Sequence, residues 1–142
     1  MLTTQMVRDY LADNPENNHL LDDVEFHDAR VELAKTFALS EYNAMPPRSN
    51  FVEDGFPYLT TLLDGTIYHL FRGQMALAAR NTMSYSDGGL DIPIEERFPY
   101  YAQMIGIYRE AFLAAAKQEK IQMNLESGWE HVRSDYSTFP AW

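Results

Sequence analysis

Four histidines, His19, His27, His69 and His131, are the first side chains to test for chemistry, and each stands in a different segment. None has the i, i+4 partner of a zinc site built on one helix face. The chain has no cysteine, which removes disulfides, thiolate metal sites and cysteine nucleophiles. A serine nucleophile would be announced by a G-x-S-x-G elbow, and none occurs. The glycines are isolated or paired without a following Lys-Ser or Lys-Thr, so no phosphate-cradling loop is present. Asp22, Asp23 and Glu25 cluster in a polar stretch of an acidic chain, where hydrated carboxylates are the expectation. Ser86-Asp87-Gly88-Gly89 lacks the alternating oxygen ligands and closing glutamate of a calcium loop. The expectation is a chain that is not an enzyme and carries no metal or cofactor.

The elements that would position any site follow from periodicity. Thr3 and Thr4 supply a capping oxygen, and Met6, Val7, Tyr10 and Leu11 repeat at helical spacing until Asn14-Pro15 stops the run. "PENNHLLDDVEF" reads as a loop held against the body by Leu20, Leu21, Val24 and Phe26. A second helix is expected from Asp28, with Val31, Ala34, Ala38, Tyr42 and Met45 as its stripe, Leu33, Phe37 and Ala44 widening it, and Arg30, Glu32 and Lys35 on the wet side. Pro46-Pro47 ends it. Pro57 opens a third helix running to about Arg80, apolar nearly all round and therefore central.

Gly65 and Gly73 each weaken that third helix by roughly 1 kcal/mol against alanine. With His69 between them and Ala76 beyond, they define a smooth strip for close helix packing, and His69 reads as a hydrogen-bonded interior histidine. Asp87-Gly88-Gly89 permits a short hairpin or an extended loop. Pro99 opens the last long helix, with Tyr101, Met104, Ile105, Tyr108, Phe112, Ala115 and Ala116 buried and Lys117 and Lys120 complementing its C-terminal dipole. "IQMNL" could continue as a strand or arm, and Ser127-Gly128 is expected to break the chain. The fold class is all-α, a compact bundle of about four helices over residues 1–126, followed by an extended aromatic arm over 127–142.

That arm, "SGWEHVRSDYSTFPAW", is the strongest association signal. Trp129, Tyr136, Phe139 and Trp142 fall in a stretch without periodicity, and such aromatics are enriched at interface cores. They order against another polypeptide or fold back on their own bundle.

The totals agree with an assembling protein of one domain. At 142 residues the chain buries about two-thirds of its unfolded surface. No apolar run approaches a membrane span and no basic-then-apolar leader opens the sequence, so neither a membrane nor export is expected. A net charge of −10 argues against a nucleic-acid reader. Residues 1–26 hold Asp9, Asp13, Glu16, Asp22, Asp23 and Glu25 against Arg8, while 97–120 hold Arg97, Arg109, Lys117 and Lys120 against Glu110 and Glu119. An acidic and a mildly basic end allow copies or a partner to dock face to face.

Taken together, "VRDYLADNPENNHLLDDVEF", "EYNAMPPRSN", "FPYLTTLLDGTIYHLFRGQMALAARNTMSYSDGGL", the long last helix and "HVRSDYS" resemble the small neck or adaptor proteins of the head-to-tail connector of tailed bacteriophages. The resemblance covers most of the chain and rests on a texture of helices, a Pro-Pro break and an Asp-Gly-Gly turn. It implies a helical structural protein of the virion neck, assembled in the host cytoplasm as a closed ring, usually of twelve copies, between the portal ring and the tail. Its partners would be the portal protein, neighbouring copies, and a tail terminator or other neck protein. DNA would be transiting cargo without specific binding, and an acidic lumen would let it slide. An extended terminal arm gripping the portal would place Trp129, Val132, Tyr136, Phe139 and Trp142 at the contact. Alternatives are a tail-completion or other neck protein, or a small cytosolic ligand-binding or enzymatic helical domain with its pocket along Gly65, His69 and Gly73.

Overall fold

The computed structural model describes residues 1–18, 23–81, 84–87, 90–93 and 98–130. Four α-helices form a bundle: α1 (Thr4–Leu11), α2 (Asp28–Ala44), α3 (Leu59–Asn81) and α4 (Phe98–Glu130). A two-stranded antiparallel hairpin, β1 (Ser84–Asp87) and β2 (Leu90–Pro93), joins α3 to α4, with Tyr85 opposite Ile92 and Asp87 opposite Leu90. α3 is central, packing on α4 along one side and α2 along another.

α1 begins where the hydroxyl of Thr3 accepts the Met6 amide at 3.1 Å. It stops before Asn14-Pro15, because Ala12 turns left-handed at φ 53° and its amide closes back on the last turn. Asp13 then leaves the surface. Its buried carboxylate accepts the Glu25 and Phe26 amides at 2.6 and 2.9 Å and the Asn18 side-chain amide at 2.6 Å. One carboxylate therefore fastens both ends of the loop, and Phe26 is carried into the core against Phe71.

Of the stripe expected on α2, Val31, Ala34, Ala38 and Tyr42 are buried, while Met45 caps the helix end and is half-buried. Two departures matter. Leu33, Phe37 and Ala44 do not widen it but stand exposed, whereas Lys35, expected in water, is buried. Its ammonium is held by the Leu2 carbonyl at 3.1 Å, Glu53 at 2.5 Å and Glu32 at 2.9 Å, which compensates the lost hydration.

After α2, an aromatic cluster of Tyr42, Phe51, Phe56 and Tyr58 closes the turn into α3, with ring centroids 4.8 to 6.2 Å apart. Lys120 of α4 sits over the Tyr42 ring at 4.5 Å and donates to the Pro47 carbonyl at 2.8 Å and Ser49 Oγ at 2.6 Å. It is 1% exposed and ten residues short of the helix end, so it anchors the Pro46-Pro47 loop to the bundle instead of complementing a C-terminal dipole.

α4 also runs further than expected. Ser127-Gly128 does not break it, and "IQMNL" is neither strand nor arm, for the helix continues to Glu130. A single glycine costs roughly 1 kcal/mol, too little to stop a propagating helix, and the Ser127 hydroxyl returns a bond to the Asn124 carbonyl at 3.1 Å. The 127–142 arm thus begins as helix. Among the described residues no helix is long and apolar enough to cross a membrane.

Candidate functional site

The expected packing strip on α3 divides in two. Gly65 is buried where α2 and α4 both press on α3: a Cβ there would stand 2.8 Å from the Phe112 ring and 2.9 Å from the Ala38 Cβ. Gly73 has open space where its Cβ would be, and both it and Ala76 are exposed, so neither packs a helix. The reason is register. At Gly65 both α2 and α4 close on α3, whereas beside Gly73 the α2–α3 side is left open.

That opening is a groove of about 260 Å³, with Phe26, Leu33 and Phe37 on one wall and His69, Gly73 and Leu77 on the other. Gln74 lines it at 7% exposure, and no hydrogen bond engages its amide among the described residues. Arg30 and Arg80 stand at its rim. His69 Nε2 lies 3.1 Å from Glu41 Oε2, and its ring is 5.8 Å from that of Phe37. Burial holds the imidazole below its usual pKa despite the opposing pull of Glu41. It is therefore a neutral ring donating to a carboxylate at pH 7, the hydrogen-bonded interior histidine its position predicted. Because the folded pKa is depressed, this contribution to stability is complete above the ordinary histidine range and is lost as pH falls through the folded value.

A second polar group is buried between α3 and α4. The Thr61 hydroxyl donates to Glu119 Oε1, while Glu119 Oε2 has no hydrogen-bond partner among the described residues. Burial pushes the Glu119 carboxyl above its ordinary range, with the Thr61 and Tyr42 hydroxyls opposing. It also drives the Tyr42 hydroxyl well above the usual range, with the Glu119 charge adding to the effect. These groups are enclosed by helix contacts and line neither the groove nor the depression at the start of α3.

Among the described residues no three His, Asp or Glu side chains gather as metal ligands. The groove offers apolar walls, one amide, a histidine already engaged and cationic rims.

The aromatic arm enters this picture only at its root. Trp129 lies on the last turn of α4, and Val132, Tyr136, Phe139 and Trp142 lie outside the described residues. Thr61 meets Glu119 near the start of α3, and Tyr42 reaches Met123 Sδ at 3.9 Å. Beyond Met123, Asn124 to Gly128 are exposed at every position. Asn124 to Gly128 thus form a stretch of α4 exposed on every face, with the Glu126 charge still close enough to the Tyr58 hydroxyl to add to burial and Glu119 in raising its pKa.

Residue type and spacing did not mark Arg30, Gln74 and Arg80 as groove residues, nor Asp13, Lys35 and Lys120 as buried and Glu119 as half-buried polar groups. For the groove a signal existed: Leu70, Gly73, Gln74 and Leu77 share one face of α3 at i, i+3, i+4, i+7. Comparison with protein-family models, curated proteins and solved structures finds no match to this chain.

Proposed function

We propose that the chain is a structural protein of a phage neck, a ring-forming adaptor between portal and tail that extends the DNA channel. The observation that carries the reading is the exposed stretch near the end of α4. From Asn124 to Gly128 the helix is exposed at every position, and in sequence it leads directly into a segment rich in Tyr, Phe and Trp. A portal ring is the partner proposed to cover those rings. Trp129, Val132, Tyr136, Phe139 and Trp142 are the proposed contacts, with a tail terminator or other neck protein on the opposite side.

The test is co-sedimentation with assembled portal rings. The full chain is expected to pellet with them, and a chain lacking residues 131–142 to remain in the supernatant with its helical circular dichroism unchanged. Equal pelleting of both forms would remove the arm from the reading.

The α2–α3 groove favours a second reading, a small-ligand site, because the Gln74 amide lies in it without a hydrogen bond among the described residues. A metabolite-dependent thermal shift abolished by Gln74→Leu and indifferent to the arm deletion would support that reading over the first.

A further inference from the structure

Two apolar faces of this bundle lie at opposite ends of α3 and carry opposite charge. The first is the α2–α3 groove, whose lip is formed by Leu33 and Phe37, 55% and 51% exposed. Arg30 and Arg80 flank it and Arg72 stands near His69; none of the three makes an ion pair among the described residues. In a chain of net charge −10, three arginines against the one Glu41 carboxylate that His69 engages leave an excess of positive charge around this apolar groove. The second face is a shallower depression of about 340 Å³ where α1 meets the start of α3, bordered by Met6, Tyr10 and Leu59 and floored by Leu2 and Leu63. Asp9 lies in it, and Asp64 lies beside Tyr108 together with Tyr10. At 1.5 Å per residue the two faces are centred roughly 20 Å apart along α3.

We infer that these faces are the two halves of one head-to-tail contact, the Leu33–Phe37 lip of one copy seating in the Met6–Tyr10–Leu59 depression of the next, with Arg30 brought towards Asp9. The occupant is a second copy of this chain because each face supplies what the other lacks. A symmetric pairing is disfavoured on both sides: groove against groove juxtaposes the arginines, and depression against depression juxtaposes the aspartates. A contact between two different patches repeats from copy to copy and closes into a ring when its rotation permits. The inference rests on the ring-forming reading above and supplies the surfaces that reading leaves unnamed.

The absence of cysteine makes the test clean. Leu33→Cys and Met6→Cys are prepared separately, each at an exposed position, mixed and mildly oxidised, both in concentrated protein and on particles assembled with portal rings. The mixed disulfide is expected to exceed either homodimer by about fivefold, the discrimination one exposed charge pair per contact can provide. Arg30→Glu in the Leu33→Cys copy should lower that yield by a similar factor, and Asp9→Arg in the Met6→Cys copy should restore it. Homodimers in equal or greater amount, no mixed disulfide in either setting, or capture of Leu33→Cys by Phe139→Cys instead, would each overturn the contact. Portal co-sedimentation without the mixed disulfide defeats this inference alone, and the mixed disulfide without portal binding defeats the neck reading alone.

Discussion

The Glu119 carboxylate accepts from Thr61 with one oxygen, and the Tyr42 hydroxyl also acts on it, but the second oxygen is buried without a well-formed hydrogen bond among the described residues. Burial favours its neutral form, so its folded pKa lies above the unfolded one. An acid shifted upward contributes stability that is fully present below its unfolded pKa and is lost as pH rises through the folded value. Glu119→Gln keeps an acceptor for Thr61 and removes the charge. We expect it to stabilise the protein by about 1 kcal/mol at pH 8, and to flatten the decline in urea midpoint that the parent shows as pH rises above the ordinary carboxylate range. An unchanged pH profile would mean that Glu119 is hydrated. Lys35 and Lys120 are resolved differently. Lys35 is buried against two carboxylates and a carbonyl, while Lys120 is buried against a carbonyl, a hydroxyl and an aromatic face. None of this was legible from residue type, since the usual rule leaves lysine and glutamate in water. Partners 18 to 73 positions away in sequence decide it.

At the scale of elements, helix starts were legible because they are local chemistry: a threonine cap for α1, an aspartate in the first turn of α2, prolines beside the first turns of α3 and α4. Helix ends were less so. The left-handed turn at Ala12 carries no glycine or asparagine to announce it, and Ser127-Gly128 announces a stop that α4 ignores. The two glycines of α3 separate most clearly. Gly65→Ala gains roughly 1 kcal/mol of helix propensity but drives a methyl into Phe112 and Ala38, and overpacking of that kind costs roughly 1 to 3 kcal/mol; a net loss of stability is expected. Gly73→Ala meets nothing and should gain roughly 0.5 to 1 kcal/mol. Urea titrations followed by circular dichroism check both, and equal effects would contradict the register of α2 and α4 on α3. The sequence marked both glycines as a single strip, because periodicity shows which residues share a face without showing how far a neighbouring helix extends along it.

For the whole molecule, charge sets the broadest expectation. A body of net charge −10 should not retain duplex DNA at physiological salt, since phosphate neutralisation supplies most non-specific affinity; a gel-shift titration that shows retention would contradict a passive conduit. Composition, cap residues and 3.6-residue periodicity determined the all-helical class, the order of the four helices and the absence of cysteine chemistry, because each depends on residues close together in the chain. The tertiary structure alone decided that Leu33 and Phe37 face outward, that Gly73 opens a groove which Gly65 does not, and that α4 continues past Met123 with Asn124 to Gly128 exposed. Those features depend on where one helix ends relative to another, and that is set by packing between segments far apart in sequence.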